Sequence, residues 1–64
     1  MYTHIDKALH YRKRAGELRA DAVDTTNERA RELLTERAQD YEEMAAGREA
    51  IALTITVRAG LNSN

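Results

Sequence analysis

Apolar residues recur every three or four positions in a first stretch of the chain. The members of this stripe are Ile5, Ala8, Tyr11, Ala15, Leu18 and Ala22, with Leu9 and Val23 beside it. This spacing is typical of an amphipathic helix with one apolar face. Thr3 can cap the free amides at its start, and Asp6 stands three residues later, as a capping box requires. The pattern predicts helix 1 over about residues 4–23.

A polar break, Asp24-Thr25-Thr26-Asn27, precedes a second stripe made of Ala30, Leu33, Leu34, Ala38, Tyr41, Met44 and Ala45. Short polar side chains compete with the backbone for hydrogen bonds and therefore favour caps and turns. Thr25 or Thr26 can cap the second helix, and Thr25 with Glu28 has capping-box spacing. So short a connection predicts two antiparallel helices.

The turn also predicts which residues face each other. If it is centred between Thr25 and Asn27, facing residues have numbers that add to about 52. Apolar or aromatic side chains then meet in three pairs: Ala22 with Ala30, Leu18 with Leu34, and Tyr11 with Tyr41. The same rule sets polar residues close together: Arg12 near Asp40, His10 near Glu42, and Arg19 near Leu33 and Glu32.

The segment 51–57 permits more than one structure. From Leu53 onward it alternates apolar and polar residues and is rich in β-branched side chains, which favours a strand. Such a strand would need its twin in a dimer, since the hairpin offers no edge. Alternatively helix 2 continues to about residue 58, with Ile51 and Ile55 extending its stripe and Gly60 as its C-cap. We favour the helix and keep the strand and a disordered tail as alternatives; residues 60–64 are expected to fray.

The size of the chain points to association. Its 64 residues allow one domain, 1–64, and so short a chain usually needs disulfides, a metal or a partner subunit. The absence of cysteine excludes disulfides and thiolate zinc sites. We therefore expect an all-α antiparallel two-helix hairpin that dimerises into a four-helix bundle. The expected interface residues are Ile5, Ala8, Leu9, Leu18, Leu33, Leu34, Arg37, Met44, Ile51 and Ile55.

Two single residues add to this picture. Arg37 lies within the second stripe, so we expect a packed stem and a head paired with an acid at the interface. Gly16 lies inside helix 1, opposite Glu36 and Arg37, and predicts a close approach of the helices there.

Charge and hydropathy indicate the surroundings of the protein. The first 19 residues carry five basic and two acidic side chains, and residues 20–50 carry four basic and nine acidic ones, so the two helices are expected to neutralise each other. No apolar run approaches the roughly 20 residues of a membrane span. The start does not resemble a signal peptide because Asp6, Lys7 and His10 interrupt it. We expect a cytoplasmic protein that contacts no membrane.

Residues 10–46 resemble a group of short, uncharacterised bacterial proteins. The likeness rests on Tyr11-Arg12-Lys13-Arg14-Ala15-Gly16-Glu17-Leu18-Arg19 and on Leu33-Leu34 followed by Ala38-Gln39-Asp40-Tyr41-Glu42-Glu43-Met44-Ala45. The resemblance implies a helical hairpin and assigns no functional residues. The chain departs from the group at the turn, where Thr26-Asn27 replaces the expected Asp-Pro.

The residues give no basis for catalysis or metal binding. His4 and His10 are six positions apart and cannot share a metal at helical i, i+4 spacing, and Asp6 with His10 lacks a third ligand. Ser63 is the only serine and has no base beside it. We expect no enzyme, no metal and no cofactor.

One basic cluster suggests a different partner. Arg12, Lys13, Arg14 and Arg19 could contact nucleic acid if two first helices lay side by side, as in plasmid Rop-type hairpin dimers that hold RNA. Otherwise these arginines would bridge to Asp40, Glu36 and Glu32 across the hairpin.

The favoured function is a small regulatory or scaffold module that acts by protein–protein contact, as a homodimer or on a larger partner. The alternatives are a Rop-like RNA-binding dimer and a small inhibitor that caps a larger enzyme.

Overall fold

The computed structural model describes residues 3–62, which form two helices, α1 at His4–Asp24 and α2 at Glu28–Asn62. The helices pack against each other as an antiparallel hairpin, and no strand occurs in this part of the chain. The all-α hairpin predicted from the apolar pattern is therefore confirmed. None of the described helices is long and apolar enough to cross a membrane.

The capping box predicted at the start of α1 is present. The Thr3 hydroxyl accepts a hydrogen bond from the Asp6 amide at 3.1 Å, and the Asp6 carboxylate accepts one from the Thr3 amide at the same distance. These bonds satisfy two donors that a helix start otherwise leaves without partners.

The predicted cap of α2 is wrong, because Asn27 takes that position. Its side-chain oxygen accepts a hydrogen bond from the Ala30 amide at 3.0 Å. Thr25 instead closes α1, donating from its amide to Ala22 O and from its hydroxyl to Asp21 O at 2.7 Å. Since α1 extends through Asp24, only three residues form the turn, and Thr25 is needed at the helix end that precedes it.

The two helices meet along a row of alanines with seven-residue spacing. Ala8, Ala15 and Ala22 form the row on α1 and are buried, while Ala38 and Ala45 on α2 have no exposed surface. A seven-residue repeat keeps the same side chains facing the partner helix along its length. We call this contact the alanine seam. Small side chains here allow the two helices to approach closely.

Larger side chains lie between the alanines in the predicted register. The rings of Tyr11 and Tyr41 are 5.9 Å apart, and Leu18 packs in a cluster with Leu34. One further pair has numbers that add to 52 but was not predicted from the sequence: an Arg48 guanidinium nitrogen lies 3.0 Å from His4 Nδ1. This polar pair closes the open end of the hairpin.

Segment 51–59 is helical rather than a strand. Helix α2 continues beyond the predicted end near 58 to Asn62, so residues 60–62 of the expected frayed tail are in the helix, and 63–64 lie outside the described residues. The expected left-handed cap at Gly60 is wrong, because no described glycine has positive φ. No proline interrupts this segment, so its residues can continue the helix.

The end of α2 extends beyond α1. Helix α1 begins at His4, which lies at the same height as Arg48 of α2. Residues 52–62 therefore have no helix beside them over about 16 Å, and residues 53–60 are all exposed. We call residues 52–62 the overhang. The hairpin measures 57 × 18 × 14 Å, with a radius of gyration of 15.8 Å against about 11 Å for a compact chain of this length.

The close approach predicted at Gly16 is wrong. A Cβ atom built there would have no atom within 4 Å. The residue faces open space because it lies off the alanine seam, one position after Ala15.

The alanine seam generates a testable prediction. Leucine in place of Ala38 should destabilise the hairpin by about 1–3 kcal/mol, because three added carbon atoms would force the helices apart. Ala46→Leu, at an exposed position of the same helix, is the matched control and should change stability little. Urea unfolding followed by circular dichroism measures both. Equal effects of the two substitutions would contradict close packing at Ala38.

Candidate interaction surface

Two ion pairs connect the basic helix to the acidic one along one flank. Arg19 Nε donates to Glu42 at 2.7 Å, and the Arg12 guanidinium pairs with Glu49. The predicted partners, Asp40 for Arg12 and Glu32 for Arg19, are wrong. The true partners lie about nine or ten residues further from the turn. The expected neutralisation between the helices occurs through these pairs.

The direction of helical side chains explains this offset. Every side chain leans toward the N-terminus of its own helix. In this hairpin, side chains of α1 therefore lean away from the turn, whereas those of α2 lean toward it. Shorter side chains, such as those of Leu18 and Leu34, still contact each other at the same height along the hairpin. Long ones such as Arg19 reach residues further along α2.

The remaining basic candidates give little support to a nucleic-acid surface. Arg14 pairs with Glu17 of its own helix at 2.8 Å rather than across the hairpin. That hydrogen bond raises the pKa of Arg14 above its usual value. Lys13 is exposed. Arg12, Arg14 and Arg19 thus each hold a carboxylate, as does Arg29 with Glu32.

The histidines do not form a site together. His4 contacts Arg48, whereas the His10 ring lies 5.8 Å from that of Tyr11. The expected pairing of His10 with Glu42 is replaced by that of Arg19 with Glu42. Across residues 3–62, no three histidine, cysteine or acidic side chains are grouped to hold a metal ion. Ser63 lies outside the described residues.

The predicted interface residues fall into separate groups. Ala8 and Leu18 are buried inside the hairpin, where Leu34 is half-buried. Ile5 and Leu9 are exposed on α1, on the flank that carries Arg12, because Ile5 precedes Arg12 by seven residues and Leu9 precedes it by three. The others are all exposed on α2: Leu33, Arg37, Met44, Ile51 and Ile55.

The predicted interface residues that are exposed on α2 lie on the opposite flank from the ion pairs. Met44 and Ile51 each come two residues after a paired glutamate, Glu42 or Glu49, which is about 200° around the helix. Residues on this flank recur at steps of three and four within about 80° of arc. We call its members between residues 33 and 55 the α2 stripe: Leu33, Arg37, Asp40, Met44, Gly47, Ile51 and Ile55.

The α2 stripe is apolar with one charge of each sign. Leu33, Met44, Ile51 and Ile55 are between 43% and 55% exposed. Arg37 and Asp40 line a shallow groove with Tyr41 and Met44. Neither Arg37 nor Asp40 has an ion pair within residues 3–62, so the acid expected beside Arg37 is not supplied there. The missed members, Asp40 and Gly47, could have been found by extending the three-and-four spacing through polar positions.

No family model matches this chain, and searches of curated proteins and of solved structures found no match. The candidate surface is therefore defined by its physical properties alone.

Proposed function

We propose that this protein is a small, non-catalytic interaction module that acts as a cytoplasmic homodimer in a regulatory or scaffold role. One observation carries the proposal. The buried apolar residues of the described chain are five alanines and Leu18, while nine larger apolar side chains are exposed.

The alanine seam by itself stabilises the hairpin weakly. Hydrophobic stabilisation is about 25 cal/mol per Å² of apolar surface buried, and an alanine buries only a methyl group. Ordering a residue costs roughly 1–2 kcal/mol in backbone entropy alone. A second copy that covers exposed apolar side chains supplies the missing burial, and two hairpins joined in this way form a four-helix assembly.

The mass in solution tests this proposal. Sedimentation equilibrium at micromolar concentration should give about twice the chain mass of 7.2 kDa, with a helical circular dichroism spectrum. A folded monomer at the same concentration would contradict the homodimer. A chain that gains helix only with a larger host protein would instead favour the alternative of an inhibitor that caps an enzyme.

The Rop-like alternative predicts binding of structured RNA that weakens steeply with salt and is lost on Arg12→Ala with Arg14→Ala. Because both arginines already hold carboxylates, we expect no shift of an RNA stem-loop in gel electrophoresis at low salt. Lys7→Ala with Arg29→Ala, both outside the basic cluster, is a charge-matched control. A salt-sensitive shift abolished only by Arg12→Ala with Arg14→Ala would favour the RNA-binding function.

A further inference from the structure

We infer that two copies associate through the α2 stripe, with their α2 helices antiparallel and centred on Met44. This inference rests on the proposed homodimer and specifies its surface. It places α2 against α2 at the centre of the dimer and leaves the ion-paired flank of each hairpin outside.

The overhang is the first observation behind this arrangement. Residues 53–60 are exposed around the whole helix, and Arg58 is the only charged residue of the overhang. An isolated helix of this length is marginal in water because most helical stability comes from packing. A segment with so little charge, projecting from a chain that is 33% charged, is suited to contact with another helix.

The length of α2 determines how two copies can cover their overhangs. Helix α2 spans Glu28–Asn62, so Met44 lies within one residue of its midpoint. Antiparallel pairing centred on Met44 therefore overlaps the two helices over almost their full length. Each overhang then lies beside the first turns of the other copy's α2, which already packs on its own α1. Centres nearer the start of α2 leave part of both overhangs without a neighbour, and centres nearer its end shorten the overlap of the two helices.

The residues brought together in this register are complementary. Leu33 of one copy faces Ile55 of the other, and the two Met44 side chains meet on the twofold axis. Gly47 leaves room opposite Asp40. The stem of Arg37 covers Ile51, which keeps its charged head at the rim beside Asp40. Arg58 faces Ala30 and lies next to Arg29, whose charge is paired with Glu32.

A second copy fits this surface better than an unrelated protein. A twofold interface uses one patch twice, so the patch must be complementary to itself. The α2 stripe satisfies this condition because Leu33 and Ile55 lie eleven residues on either side of Met44, and Arg37 and Ile51 lie seven residues on either side of it. Its apolar members extend over about 33 Å, a length suited to the roughly 800 Å² per partner of a stable dimer.

Single cysteines test the surface, because the natural chain contains none. A disulfide requires Cα atoms within about 7 Å, so Met44→Cys on the twofold axis should oxidise to a covalent dimer. Leu9→Cys is the matched control. It is 63% exposed on the flank of α1 outside the proposed interface and should remain a monomer on denaturing gels. Efficient cross-linking of Leu9→Cys but not of Met44→Cys would overturn the inference.

Mixed variants test the direction of pairing. When Leu33→Cys and Ile55→Cys chains are mixed, refolded and oxidised, we expect the disulfide between different chains to exceed either homodisulfide about tenfold. A predominance of homodisulfides would show parallel pairing and contradict the antiparallel register. This mixture also tests the surface if Met44→Cys fails to fold by circular dichroism.

The failure of this inference can be distinguished from failure of the proposed function. Wild-type dimers in sedimentation, together with cysteines of the α2 stripe that do not cross-link, would overturn this surface and leave the homodimer standing. Wild-type monomers would overturn both.

Discussion

The close contact of two helices along alanines is the interaction on which the rest of this structure depends. Alanine has the highest helix propensity and no side-chain entropy to lose, so a row of alanines favours both helices and their close approach. The same choice limits burial, because each contact removes little apolar surface from water. Consequently the larger side chains lie beside the alanine seam rather than in it, and Met44 and Ile51 remain exposed. The hairpin thus buries little apolar surface and leaves its larger apolar side chains exposed.

Polar contacts fix the arrangement of the hairpin more than they stabilise it. Exposed ion pairs such as Arg19 with Glu42 contribute about 0–1 kcal/mol each, but only one alignment of the helices satisfies them together. The Asn27 cap and the hydrogen bond from Arg31 to the Thr25 carbonyl define the turn. With the turn and register fixed, the different lengths of α1 and α2 leave the overhang beyond the start of α1. The overhang thus follows from the place of the turn and from the bounds of the two helices.

The two helices and their register were predictable because apolar spacing and turn position act locally. The rule that paired Tyr11 with Tyr41 predicts which backbone positions of the two helices lie at the same height. It failed for Arg12 because a long side chain leans toward the N-terminus of its helix and contacts a residue at another height. The cap at Asn27 was missed because three neighbouring residues can all cap, and only the end of α1 decides between them. For segment 51–57 the favoured helix is confirmed, because a strand of its β-branched residues would have no neighbouring edge, whereas a continuing helix satisfies its own backbone. The exposed apolar residues lie on two different flanks of the hairpin. The spacing of apolar residues could not predict this, because it does not specify which flank carries the ion pairs.

The coupling between folding and association can be measured directly through the concentration dependence of thermal unfolding. If a second copy supplies the missing burial, the midpoint should rise from low to high micromolar protein, because each tenfold increase in concentration stabilises the dimer by about 1.4 kcal/mol. A midpoint independent of concentration, with the helical signal retained at the lowest concentration, would show that the alanine seam alone maintains the fold and would contradict the requirement for a partner.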